Sequence, residues 1–369
     1  MKRVCLFLIL LTLTLTLTPP AAFGDPLTSV GSMFRNRPNH SGYYDGRSVT
    51  DIREVLWKVQ TDGEIISTPA IWAGVVYVGS HDDHLYAIDA HTGVVKWRFK
   101  AEDDISSSPA KAGDFVFFGC EDEYFYALDK DTGLEKWRFK TEGDVRSSPT
   151  VDDDVVYFGS NDDTLYAVNA ATGMEKWRFT TEGDVRSSPA VTGGIVFFGS
   201  MDDHVYALDA ATGMEKWRFE TEGSVHSSPA VVNNMMFVGS DDGNLYALDA
   251  RTGISKWMFS TGEKIRSSPA VAGGLVFVGC DDGRLYAVDA TTGVSSWQQT
   301  TEDAILSSPA VAGEVVYVGS DDGRLYAFTA ADGAPLWSYR TEDAVLSSPA
   351  VRDGLIVFGS TDGFLYGLK

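Results

Sequence analysis

Hydrophobic positions in this chain recur at two intervals. Over short distances they form β-branched and aromatic runs such as Ile195-Val-Phe-Phe-Gly-Ser200 and His204-Val-Tyr-Ala-Leu-Asp209, and no segment carries a helical period. Over longer distances the whole pattern returns every 40 residues. One Trp column runs Trp57, Trp97, Trp137, Trp177, Trp217, Trp257, Trp297 and Trp337. One Pro column runs Pro69, Pro109, Pro149, Pro189, Pro229, Pro269, Pro309 and Pro349. No insertion breaks the register from Val55 to Lys369. A fixed period of this size marks a repeat architecture, and that reading precedes any other.

Each repeat predicts four short strands. In residues 184–220 the first is Asp184-Val-Arg-Ser-Ser-Pro-Ala-Val191, followed by a Gly193-Gly194 turn. Ile195–Ser200 is the second and His204–Asp209 the third, joined by Met201-Asp-Asp203. Ala211-Thr-Gly213 turns the chain into the fourth, Glu215-Lys-Trp-Arg-Phe219. Four antiparallel strands per 40 residues make a propeller blade. The columns therefore predict an all-β, eight-bladed propeller over residues 55–369. The first repeat begins with its fourth strand, Val55–Val59, and the last stops after its third, Phe364–Leu368. The N-terminal strand should complete the last blade and close the ring, which removes free sheet edges.

Residues 1–54 lie outside the repeat. Lys2 and Arg3 precede an apolar run from Val4 to Thr18, and Ala22-Phe-Gly24 offers small residues for cleavage. Residues 1–24 thus read as a signal peptide whose apolar run is too short for a membrane span, and the mature chain as secreted or periplasmic with no transmembrane segment. Residues 25–54 read as an extended leader packed on the outside of the ring. Its Asn39-His-Ser41 matches a glycosylation acceptor, a three-residue pattern that also arises by chance.

Charge and cysteines narrow the partners. The net charge is −22, and −24 once Lys2 and Arg3 are removed. That excess argues against nucleic acid and anionic lipid as partners. Cys120 and Cys280 stand where other repeats have Ser, four repeats apart, so they read as buried thiols without a disulfide. Cys5 precedes the apolar run and does not form a lipoprotein signal.

Ala207-Leu-Asp-Ala-Ala-Thr-Gly-Met-Glu-Lys-Trp217 spells Ala-x-Asp-x-x-Thr-Gly-x-x-x-Trp, repeated in six consecutive blades from Ala87 to Trp297 with Asn169 replacing one Asp. This resembles the tryptophan-docking motif of the quinoprotein-type (PQQ-repeat) propellers, in which the indole wedges between blades. The Gly-His and Trp-Asp dipeptides of WD repeats are absent. Met33-Phe-Arg35 and His40-Ser-Gly42 resemble the segment that precedes the first blade in such proteins. The resemblance implies that the eight Trp residues are structural wedges rather than a sugar-stacking array. Gly213 would supply the turn that aims its own Trp. It also implies two functions. One is a BamB-like, monomeric, non-catalytic scaffold that binds protein partners in the cell envelope, with no cofactor. The alternative is a PQQ-binding quinoprotein or PQQ-dependent dehydrogenase, for which the chain lacks the inserted pocket loops and adjacent cysteines.

Function should sit where the copies diverge. One column reads Ile66, Ser106, Arg146, Arg186, His226, Arg266, Leu306, Leu346. Placed on the innermost strand, Arg146, Arg186, His226 and Arg266 form a basic arc suited to an anion or carboxylate. The competing reading pairs them with Glu142, Asp144, Glu182, Asp184, Glu222 and Glu263 as a structural ring. The Asp82, Asp122, Asp162, Asp202, Asp242, Asp282, Asp322 and Asp362 column reads as hairpin turns, with no metal. His81-Asp-Asp-His84, the one loop with two imidazoles beside acids, is a weaker zinc candidate. No residue set supports a catalytic nucleophile.

Overall fold

The computed structural model describes residues 33–44, 46–52 and 54–369. The signal peptide expected over residues 1–24 therefore lies outside the described residues. Eight four-stranded antiparallel blades follow one another around an axis. Blade 1 is built from Ala70–Trp72, Val75–Gly79, His84–Asp89 and Val95–Lys100, and the next six repeat it at the 40-residue interval. Blade 8 takes Ala350–Arg352, Leu355–Gly359 and Phe364–Leu368, and its fourth strand is Val55–Gln60. Trp57 pairs with Gly367 and Gln60 with Phe364, so the ring closes as the pattern predicts.

The innermost strand is shorter than expected. In blade 4 only Ala190–Thr192 is strand, against a predicted start at Asp184. The six residues before it run as irregular backbone whose bonds go sideways to the next blade. The Ser-Ser-Pro sequence explains why. Thr68 N donates to Ser108 Oγ at 2.9 Å, and the same bond passes from Ser108 to Ser148 at 3.0 Å and onward to Ser348. Ser347 Oγ returns to Ser67 O at 2.8 Å, from blade 8 to blade 1. Proline removes the next amide donor, and the buried serine hydroxyls tie neighbouring blades into a belt.

Further out, each indole reaches into the following blade. Trp177 Nε1 donates to Ala210 O at 3.0 Å, and Trp217 Nε1 to Ala250 O at 3.1 Å. The motif's polar residues build the turn that receives it. Asp209 Oδ1 accepts from Ala211 N, Thr212 N and Thr212 Oγ1. Gly213 has φ +71° and a Cβ there would lie 2.7 Å from Trp177. The Thr-Gly turn thus clasps the neighbour's indole rather than aiming Trp217 as expected. Between the two radii, apolar side chains fill each junction. Tyr77, Leu85 and Ala87 of blade 1 pack on Val116, Phe118 and Leu128 of blade 2.

The described part of the leader, from Met33 onward, does not lie outside the ring. It enters the axial channel at the end where the innermost strands finish. Pro38, Asn39, Ser41 and Gly42 offer their carbonyls to the amides of Val191, Val231, Val271 and Val311, one blade after another. Tyr43–Tyr44 then pairs in parallel with the innermost strand of blade 7. Strands in a propeller present unpaired amides to the axis, and the leader satisfies four of them. Arg35 is buried, with Nε and Nη1 bonded to His40 O and Ser268 O, and Nη2 bonded to Pro269 O. Burial lowers its pKa to about 10, so the guanidinium stays charged in the channel. His40, also buried, bonds Thr150 Oγ1 at 2.8 Å, and burial followed by Arg35 drives its pKa down to about 3. Gly42 has φ +66°, and a Cβ there would collide with Arg35 and sit 2.8 Å from Ala270 Cβ. Asn39 Nδ2 bonds Val231 O, which puts the glycosylation pattern inside the folded ring.

The leader also completes the last junction. Trp337 Nε1 donates to Val49 O at 3.0 Å, and Tyr317 Oη bridges Val49 N and O. Val49 takes the place that a Thr-Gly turn fills elsewhere. Cys120 and Cys280 are free and buried, as expected. No helix among the described residues is long and apolar enough to cross a membrane.

Arg35→Ala is expected to destabilise the ring by about 3 kcal/mol, because buried carbonyls lose their donors and a cavity opens. Chemical denaturation of the mature protein measures this. A wild-type midpoint would mean the leader's anchor contributes nothing.

Candidate functional site: the two mouths of the channel

The channel has two unlike ends. One is formed by the Asp-Asp hairpins and the loops entering each blade, the other by the leader. At the hairpin mouth the structure brings the basic arc together and threads acids between its members. Arg146 Nη2 lies 2.6 Å from Glu121 and 3.3 Å from Asp144. Arg186 Nη2 lies 2.8 Å from Asp184, and its Nε bonds Asn161 Oδ1. His226 Nε2 is 3.9 Å from Asp241, which also meets Lys264 at 2.9 Å and Arg266 at 3.3 Å. Arg266 continues to Asp281 at 3.8 Å. Burial holds the His226 pKa below its ordinary value, opposed by Asp241 and reinforced by Arg266 and Arg186.

Two of these acids, Asp144 and Asp184, were expected as partners. Glu121, Asp241 and Asp281 were not. They belong to the residue after Gly-Ser or Gly-Cys, and the hairpin of the preceding or same blade swings them to the rim. For His226 and Arg266 they replace Glu222 and Glu263. The column could have been read from the sequence: His81, Glu121, Asn161, Met201, Asp241, Asp281, Asp321, Thr361 diverges as strongly as the arc does.

Opposite the arc the mouth is apolar, with Leu306, Leu346 and Ile66 half-buried. Between the two sectors lie Asp281 and Asp321, each with a buried Oδ1 that has no hydrogen-bond partner. Burial, then Asp303 and Asp281, raise the Asp321 pKa to about 6. A PQQ tricarboxylate seated on the arc would have to displace Glu121, Asp144, Asp184 and Asp241, and would face Asp281 and Asp321. The donor set at this mouth does not fit that cofactor as it stands.

The turn-acid column is engaged in structure. Asp202 Oδ1 accepts from His204 N, and its Oδ2 accepts from Tyr206 Oη and from Glu182 N of the crossing loop. In the zinc candidate loop His81 turns to Ser106 at 2.9 Å, while His84 bonds back to Asp82 O at 2.6 Å. Among the described residues the one trio with ligand atoms in mutual reach is Asp83, Asp103 and Asp104, which contains neither histidine. The loop does not assemble as a zinc site.

The leader mouth was missed by the sequence reading. Here the innermost strands end on Trp72, Ala112, Asp152, Thr192, Val232, Ala272, Ala312 and Arg352, a column with no common chemistry. A cavity of about 950 Å³ opens between the leader and the strand ends of blades 8, 1, 3 and 4. Trp72 has Lys111 Nζ 4.3 Å from its ring centre and Arg352 Cζ 5.1 Å from it.

Asp321 generates a pH prediction. Its folded pKa is raised, so the folded state holds a proton more tightly than the unfolded one between pH about 4 and 6, and stability falls as pH rises through that window. Asp321→Asn should therefore raise the melting temperature at pH 7.5 and lose its advantage by pH 4, a gain of about 1 kcal/mol after solvent screening. Parallel melting curves for the two proteins at both pH values would contradict it.

The comparisons agree with this geometry. The family described as outer membrane protein assembly factor BamB matches residues 49–122, 97–188, 177–304 and 255–369. No curated protein sequence matches the chain significantly. BamB from Moraxella catarrhalis superposes with a TM-score of 0.74 at 20% identity, over 86% of this chain and 97% of that one. The computationally designed Ika8 protein gives 0.76 at 19% identity, over 85% and 99%. Quinohemoprotein alcohol dehydrogenase ADHIIG from Pseudomonas putida HK5 gives 0.80 at 16% identity, over 92% and 80%. At these identities the solved structures speak for the fold. The matched segments run without a gap from residue 49 to residue 369, through all eight blades, and the chain belongs to the BamB-type family of PQQ-like repeat propellers.

Proposed function

We propose that this chain is a non-catalytic scaffold of the cell envelope that docks protein partners, as its family's description implies for outer-membrane protein assembly. The observation that carries the reading is the uniform blade. Every blade keeps the 40-residue interval, so both ends of the ring are made of tight turns and the leader. A ring tied at two radii offers a rigid face, and rigid faces lose little entropy on docking. The hairpin mouth supplies a charged sector beside an apolar one, a common composition for a protein interface. Residues 1–24 carry the pattern of a signal peptide, which supports a role outside the cytoplasm.

The quinoprotein reading is the second outcome of the same experiment. The mature protein is exposed to PQQ and calcium, then assayed for a bound chromophore and dye-linked alcohol oxidation. In parallel, chemical cross-linking in the native host is followed by identification of the captured chains. The scaffold reading expects an outer-membrane assembly component in the cross-link and no turnover. Capture should fall about fivefold or more in Arg146→Ala/Arg186→Ala/Arg266→Ala if the hairpin mouth is the docking face. Turnover with PQQ would overturn the scaffold reading, and unchanged capture would remove the arc from the interface.

A further inference from the structure

Charge in this ring is segregated by face. The hairpin mouth is built from the loops entering the blades, residues 60–66 and their equivalents at each 40-residue step to 340–346, and from the hairpins, residues 80–84 to 360–364. Those segments hold 32 of the chain's 52 Asp and Glu but only nine of its 30 Lys and Arg. The rest of residues 25–369 carries 20 acids against 19 Lys and Arg. Nearly the whole negative charge therefore stands at one end of the ring, and a field of that size draws cationic partners to that end.

The two halves of this mouth handle the excess differently. Along the arc, cations of the inner column lie on the acids, as Arg146 does on Glu121 and Arg186 on Asp184. From the loop entering blade 7 round to the loop entering blade 2, the inner column is Leu306, Leu346, Ile66 and Ser106. This sector still holds 14 acids, against Arg324, Arg340 and Lys100. At its blade 7 end two buried carboxylate oxygens lack a donor among the described residues. Asp322 Oδ2 accepts from Tyr326 Oη and Glu302 N, but its Oδ1 is unpartnered. The equivalent Asp202 Oδ1 of blade 4 accepts the amide of His204. Asp321 Oδ1 is buried and unpartnered as well. Burial, then Asp303 and Asp281, raise the Asp321 pKa, so a cation brought to this corner relieves the crowding. At the other end Asp83, Asp103 and Asp104 bring carboxylate oxygens within 4.8 Å of one another. Leu306, Leu346 and Ile66, all half-buried, follow one another between these two ends.

We infer that this sector docks a cationic, amphipathic segment of a partner protein, in which lysines or arginines flank a short apolar run. One cationic end meets the carboxylates around Asp303 and Asp321, and the other meets Asp83, Asp103 and Asp104. The apolar run covers Leu306, Leu346 and Ile66. Acids alone would attract any counter-ion; an apolar floor between two acidic ends selects a polypeptide. The assignment rests on the scaffold reading and adds to it the chemistry of the partner.

The probe is a labelled, capped peptide with lysines on both sides of a leucine run, titrated into the full mature protein at low salt and followed by fluorescence anisotropy. It should bind once per chain and weaken as salt is added. Serine in place of its leucines should cost about tenfold or more, ~1.4 kcal/mol. Glutamate in place of its lysines should abolish binding. Asp103→Asn/Asp303→Asn should weaken the probe about fivefold or more. Both side chains are exposed, and asparagine keeps the Oδ1 that accepts from the next amide. Leu306→Ser/Leu346→Ser should remove the preference for leucine over serine. Glu142→Gln/Glu182→Gln, an equal loss of charge on the arc half, should leave affinity within about twofold. The proposal is overturned by no binding, by equal affinity for the leucine and serine peptides, by full affinity in Asp103→Asn/Asp303→Asn, or by an equal loss in Glu142→Gln/Glu182→Gln. Calcium uptake lost in Asp103→Asn, with no peptide bound, assigns the acids to a metal and overturns it too. The titration uses purified protein, so its failure leaves native cross-linking to judge the scaffold reading, and PQQ turnover sinks that reading whatever the titration shows.

Discussion

Seven of the eight blades hold the next by an indole whose N–H finds a carbonyl in the neighbour's turn, and the eighth indole finds its carbonyl in the leader. In a closed circle the constraint is acute at the seam. The fourth strand of blade 8 comes from the N-terminal side of the sequence, so no Thr-Gly turn joins it to the third strand. Trp337 then needs a carbonyl from elsewhere, and Val49 provides it. Apolar burial around each ring supplies most of the attraction, while the directed hydrogen bond sets the angle between blades. The serine belt does at small radius what the indoles do at large radius. Together they leave each blade little freedom to tilt.

The leader turns a nearly symmetric ring into an asymmetric one. Eight equivalent blades would present eight equivalent strand edges to the axis. The chain instead threads itself in, satisfies four amides and seats a guanidinium in the channel with backbone oxygens as its partners. A buried cation without a carboxylate is costly, and carbonyl dipoles aimed at it are the compensation. The two channel ends thereby become different places. The hairpin mouth is a ring of ion pairs beside an apolar sector. The leader mouth is packed by the leader itself, with Lys111 and Arg352 gathered against Trp72.

Divergence between copies is a sound guide in a repeat protein, but only along the right columns. Arg146, Arg186, His226 and Arg266 stand out in the sequence because their column is simple to align. Their meaning depends on Glu121, Asp241 and Asp281, which lie in hairpins 15 or 25 residues away, in the same or the preceding blade. The Trp72 column diverges further still. It went unread because a strand end is one residue wide and its neighbours Ile71 and Val351 look like ordinary core. Cys120 and Cys280 were legible for the opposite reason: a Ser-to-Cys exchange inside a fixed pattern leaves few roles for the thiol.

The sequence by itself determined the blade count, the strand order within each blade, the closure of the ring and the structural use of the turn acids. These are local or periodic properties: short-range turn chemistry and a hydrophobic period repeat identically, so every copy confirms the others. Only the tertiary structure decided where the leader goes, which acids face the arc and how the two channel ends differ. Those outcomes depend on contacts between residues far apart in the chain. The leader, present once, has no second copy to reveal by comparison that it belongs inside the ring.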